Sequence, residues 1–333
     1  MHTFYCLYAS YSIWSTIIKI VKISGGLGNQ MFAYAFALAL QKCGHKVYVD
    51  TSLYRTGTVR SGIDFCHNGL ETERLFGIRF AEADTADVRR LSTPAEGLLN
   101  RIRRKYFTKK THYIDTAFTY TPELLSDNGD CYLEGYWQTE KYFLSIEQEI
   151  RRLFTFKLPL SQKSVKIKAE LKHAVATGTA KNILGKFWPC ASIHVRRGDY
   201  LNTKTLHVCT EKYYNNAIEY AVKNCAVSTF YVFSDDMPWC REQLHFCGAH
   251  AVFVDWNTES DSWQDMALMS MCRCNIIANS SFSWWAAWLN GAADKTVLAP
   301  AIWNRRQLEY VDRYYGYDYS DIVPESWIRI PID

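Results

Sequence analysis

From residue 190 to residue 299, short apolar runs alternate with helical stretches, and this alternation limits the fold more than any other feature of the 333-residue chain. Cys190–Arg196, Thr229–Ser234, Ala251–Trp256, Asn275–Asn279 and Thr296–Ala299 read as strands. Thr210–Asn224, Pro238–Phe246, Asp261–Cys272 and Ser281–Leu289 read as the helices between them. Strands separated by helices run parallel, and a parallel sheet needs helices on both faces. An earlier unit has the same form. It comprises the β-branched run Ile17–Ser24, the loop Gly25-Gly26-Leu27-Gly28-Asn29-Gln30, an apolar helix over Met31–Gln41 and a strand over Val47–Asp50. The expected class is α/β, with two Rossmann-like, doubly wound halves whose strand carboxyl ends face each other across a cleft. The expected divisions are an N-terminal extension 1–18, a first half 19–160, a polar, Lys-rich linker 161–185, a second half 186–300 and a C-terminal segment 301–333.

Composition narrows the function. A net charge of +4 gives no global field for nucleic acid. Eleven cysteines without CxxC pairs or zinc-like histidine spacing read as reduced, mostly buried thiols of a cytoplasmic protein. Met1–Ile18 is apolar and aromatic, but it lacks a basic leader and is diluted by Tyr, Ser and Thr, so an extension is expected rather than a membrane span. Six basic residues crowd Arg101–Lys110: Arg101, Arg103, Arg104, Lys105, Lys109 and Lys110. Such a run is ordinarily a solvated face, and that reading is preferred; the sharper one is peripheral contact with an anionic carrier or membrane surface.

The loops at strand ends carry the chemistry. Arg196 and Arg197 break a strand, and paired guanidinium forks suit phosphate oxygens, although a salt-bridged strand end has the same composition. Asn279-Ser280-Ser281 opens a helix, where free N–H groups and the dipole favour phosphate; taken alone it is an ordinary cap. Together the two loops favour a pyrophosphate site. Ser234-Asp235-Asp236 suits a divalent metal, guanine N–H donors, or capping of the helix near Pro238. A nicotinamide dinucleotide site is disfavoured, because the third small position of its fingerprint is occupied by Met31. Cys131–Phe143 mixes aromatics with Gln138 and Glu140, as a pyranose site or a helix–sheet seam would.

At this point the residues resemble a family. His194-Val195-Arg196-Arg197-Gly198-Asp199-Tyr200 resembles the signature of the bacterial-type α-1,2-fucosyltransferases that use GDP-L-fucose. So do Gly25–Phe32, Gly135–Phe143, Ser234–Cys240 and Met269–Asn290, in the family's order over roughly residues 19 to 300. The resemblance implies a GT-B-like fold and inverting, metal-independent transfer of L-fucose from GDP-β-L-fucose to the 2-hydroxyl of a terminal β-galactoside. It implies that Arg196 holds the β-phosphate, that His194 and Asp235 contact the nucleoside, that Ser280 and Ser281 bind phosphate oxygens, and that Asn29 lies near the reacting carbon. Gly26, Gly28, Arg197, Asn279, Trp137 and Gln138 complete the expected substrate-binding set. Asp199 is the first candidate base and Glu140 the second. No cofactor or metal is expected. A lipid-linked acceptor and peripheral contact with the inner membrane belong to the same expectation. A non-catalytic nucleotide-sugar or glycan-binding protein of this fold is the alternative. The sequence names neither the acceptor nor the oligomeric state.

Overall fold

The computed structural model describes residues 17–55, 68–94, 107–115, 117–177, 190–308 and 318–332. The first sixteen residues of the extension lie outside them, as do Arg101, Arg103, Arg104 and Lys105 of the basic run. Among the described residues no helix is long and apolar enough to cross a membrane.

Two parallel sheets organise the chain. The first contains β1 (Ile18–Lys22), β2 (Lys46–Asp50), β3 (His112–Ile114) and β4 (Cys131–Glu134), in the order β2-β1-β4-β3. The second contains β5 (Cys190–Val195), β6 (Thr229–Ser234), β7 (His250–Val254), β8 (Cys274–Ile276), β9 (Thr296–Pro300) and β10 (Ile328–Ile330). Its order is β10-β9-β8-β5-β6-β7. The chain therefore winds outward from β5 to β7, returns to the other side of β5, and winds outward again to β10. Each sheet has one point where the winding reverses, between β1 and β4 in the first and between β5 and β8 in the second. This is the expected GT-B-like α/β architecture. Strands β3 and β10 were not expected; each is three residues long, too short to show a period.

Seven helices support the site and the cores around it: α1 (Leu27–Lys42), α2 (Gln162–Thr177), α3 (Gly198–Leu201), α4 (Glu211–Cys225), α5 (Met237–Gln243), α6 (Trp263–Met269) and α7 (Ser281–Leu289). The Lys-rich stretch expected as a linker forms α2, which buries Ser164, Ile167 and Leu171 at helical spacing. Helix α1 is buried nearly all round because it lies between the first sheet and α7. Phe32 on α1 packs 4.5 Å from Trp284 and 4.9 Å from Trp285 on α7, and Phe143 stacks on Trp285 at 5.4 Å. One continuous apolar core thus runs through both halves. A second core lies on the outer face of the second sheet, where Ala191, Ile193 and Val195 of β5 meet Tyr213, Ala217 and Ile218 of α4. Because side chains alternate along a strand, His194, and Arg196 just past the strand, share the face of β5 opposite that core, where the His194 ring meets Phe282 of α7.

Candidate active site

The reversal point of a doubly wound sheet leaves a crevice at the carboxyl ends of its strands. In the second sheet that crevice is bounded by Arg196–Asp199 after β5 and by Asn279–Ser281 after β8. The two arginines part there. Arg196 Nη2 lies 2.8 Å from Asp199 Oδ1, and its Nη1 lies 3.1 Å from Asp235 Oδ2. Arg197 turns to the opposite face, stacks 4.1 Å over the Trp239 ring and donates from Nε to Asp236 at 3.0 Å. Asp235 also accepts from the Arg197 backbone N–H at 2.8 Å, and a Cβ on Gly198 would approach its Oδ2 to 2.9 Å. A side chain at Gly198 would therefore displace the Asp235 carboxylate from the turn. Asp235, expected at the nucleoside, has both oxygens engaged by this turn and serves to hold it.

His194 lies beneath the turn, 7% exposed, with its ring 5.5 Å from that of Phe282. Burial pushes its pKa down to about 4, so the imidazole is neutral at physiological pH. Its Nδ1 is buried and makes no hydrogen bond among the described residues. Asn279, expected to contact substrate, has its amide engaged elsewhere. It donates to Leu206 O and Trp303 O, both at 2.9 Å, while its Oδ1 accepts from the Cys209 thiol. Asn279 therefore ties loops together behind the site. Ser280 caps α7, accepting from Phe282 N at 3.4 Å, and Ser281 begins the helix. At the far end of α7, Lys295 Nζ donates to three carbonyls at 2.8–3.1 Å, and Arg151 donates to Leu289 O at 3.1 Å. Cations at that end complement the helix dipole, which leaves the Ser281 end positive.

The first sheet adds a second helix start. Gly26 caps α1 without a side chain, and the first turn of α1 carries no acidic residue. Gly28 abuts the start of α7: a Cβ there would lie 2.5 Å from the Ser281 carbonyl carbon. The N-termini of α1 and α7 therefore lie against each other, an arrangement suited to a polyanion. Asn29 is oriented by Gln138, whose Nε2 donates to Asn29 Oδ1 at 2.8 Å. Gln30, fully buried, pins the loop by donating to Gly25 O at 3.1 Å and Gly69 O at 2.8 Å while accepting from Glu71 N. Tyr54 adds a 2.6 Å bond to Gly25 O. Gly25 itself has φ +78°, a conformation glycine adopts without strain.

Two expected residues are not brought to this place. Trp137 is 1% exposed and stacks on Phe36 at 4.3 Å, so its ring is core rather than sugar platform. Glu140 accepts from Trp288 Nε1 at 3.0 Å, about 10 Å along α7 from Ser281. Burial raises its pKa there, beside Lys295 and Arg151. Among the described residues no cluster of three His, Cys, Asp or Glu residues forms a metal cage, and Asp235 and Asp236 are each tied to an arginine. Sequence reasoning missed Gln30, Trp239 and Tyr54. The only signal in the sequence was an amide residue closing the glycine loop, and it pointed to Gln30 alone.

Comparison with known proteins gives sequence and structure matches. A family model described as glycosyl transferase family 11 matches residues 100–320. The chain is 30% identical over 327 residues to an alpha-1,2-colitosyltransferase of Escherichia coli, covering 94% of this chain and 99% of that one. It is 25% identical over 281 residues to galactoside alpha-(1,2)-fucosyltransferase 1 of Plecturocebus brunneus, covering 83% and 66%. Among solved structures, the NodZ alpha-1,6-fucosyltransferase soaked with GDP-fucose aligns at TM-score 0.40 and 16% identity, over 82% of this chain and 92% of that one.

Proposed function

The chain belongs to glycosyl transferase family 11, the α-1,2-fucosyltransferase family, and on that basis we propose that it transfers L-fucose from GDP-β-L-fucose to the 2-hydroxyl of a terminal β-galactoside with inversion. The observation that carries the proposal is that the starts of α1 and α7 abut beside the reversal point of the second sheet, where Arg196 follows the end of β5. Departure of GDP builds negative charge on the β-phosphate. A guanidinium and two helix ends stabilise that charge more strongly in the transition state than in the ground state. Arg197 supports the turn from behind through Trp239 and Asp236.

The ion pairs suggest how a base is supplied. Arg196 is divided between Asp199 and Asp235, and a diphosphate competes for the same N–H donors. Once the phosphate takes Arg196, the Asp199 carboxylate is released beside the site, where it can accept the proton of the galactose 2-hydroxyl. Asn29, oriented by Gln138, positions the reacting groups. His194 backs the nucleoside end as a buried, neutral imidazole.

The relatives' names share the α-1,2 linkage and differ in the sugar, so a colitosyl donor is the reading to set against fucosyl. GDP release from each GDP-sugar should be measured with and without β-galactosides, and the product linkage determined by NMR. Galactoside-dependent release from GDP-fucose with an α-1,2 product supports the proposal. Release only from GDP-colitose moves the donor assignment, and no transfer from either favours the non-catalytic alternative. The lipid-linked acceptor and peripheral membrane contact belong to this proposal as the setting in which the acceptor is met.

A further inference from the structure

The loop after β4 makes an unusual turn. Trp137 lies in the left-handed region at φ +55°, and Phe118, in the loop after β3, lies there at φ +57°. That conformation is strained for bulky side chains and persists only where the surroundings enforce it. Here it separates two neighbouring rings. Trp137 is turned inward onto Phe36, and Tyr136 is left 37% exposed. Tyr136 is backed by Phe118, nearly parallel at 13° and 6.1 Å between centroids. Phe118 is in turn backed by buried Tyr319, at 25° and 4.9 Å. The backbone ties the same parts together, since Asp318 N donates to Ala117 O at 2.8 Å and Tyr120 N to Asp321 at 2.8 Å. Three rings from three chain segments thus form a braced column whose outer member is an exposed tyrosine. That tyrosine lies two residues before Gln138, the partner of Asn29.

We propose that Tyr136 is an acceptor subsite that stacks against the C–H face of a pyranose ring of the β-galactoside, with Phe118 and Tyr319 fixing its orientation. The inference rests on the function proposed above and identifies the aromatic contact that Trp137 does not provide. A rigid ring loses little freedom when a sugar covers it.

Lactose binding to GDP-saturated protein, followed by saturation-transfer NMR, tests this without requiring turnover. Tyr136→Phe keeps the ring and should bind lactose within twofold of wild type. Tyr136→Leu and Tyr136→Ala should weaken binding about two- to tenfold, the range of a single ring contact, with signal lost from the sugar C–H protons. GDP titration of each variant reports an intact fold. Equal lactose affinity in the leucine variant overturns the subsite, as does equal loss in the phenylalanine variant. Wild-type protein that binds lactose but forms no α-1,2 product contradicts the transferase reading while leaving the subsite standing.

Discussion

Arg196 and Arg197 differ by one residue and point to opposite faces of a sheet. The signature around them was legible, but the division of work between them depends on which face of β5 meets α7, and that is a tertiary fact. The candidate bases show the same limit. Asp199 lies against Arg196 at 2.8 Å, whereas Glu140 is held by Trp288 at the far end of α7. Asp199→Asn should retain GDP binding and lower transfer by about 10²–10⁴-fold, the usual contribution of a general base. Glu140→Gln should transfer within twofold of wild type. Steady-state rates for both variants decide the matter, and the reverse ranking would restore Glu140. Trp137 and Tyr136 are indistinguishable in sequence, because nothing local announces that Trp137 takes a left-handed backbone and turns inward.

Elements are more legible than residues, since the long strands and helices carry their own periodicity. Helix α2 reads as a linker in sequence because its Lys-rich faces obscure the buried stripe Ser164, Ile167 and Leu171. The contact between the starts of α1 and α7 is invisible in sequence, as it joins residues far apart in the chain. It yields a sharp expectation. Gly28→Ala forces a methyl group against the Ser281 backbone and should destabilise the fold by about 1–3 kcal/mol, as overpacking does. Gly291 is the control, because a Cβ added there would meet nothing within 4 Å. Gly291→Ala should change stability by less than about 0.5 kcal/mol. Denaturant unfolding of the two variants measures both.

At the scale of the molecule, the two halves share one core rather than meeting only at a cleft. Titratable groups inside the second half then set the pH response of the fold. Burial pushes Asp265 up to about 8, with Asn257 Nδ2 donating to it at 2.7 Å. A folded pKa above the unfolded value means that stability is fully present below about 4 and is lost as pH rises through about 8. His194, pushed down to about 4, contributes in the opposite sense: stability present above about 6.5 is lost as pH falls through about 4. Between pH 6.5 and 8 only the Asp265 effect of this pair operates, so the unfolding temperature should fall with pH there and flatten in Asp265→Asn. A wild-type profile that rises through this window would contradict the assignment. The central claim, that Arg196 and two helix starts hold a diphosphate, is tested most directly by calorimetric titration of GDP and GMP in excess EDTA. Wild type should prefer GDP by at least tenfold, and Arg196→Lys should lose most of that preference, since a charge-assisted contact is worth about 1.5–3 kcal/mol. An undiminished GDP preference in Arg196→Lys would place the β-phosphate elsewhere.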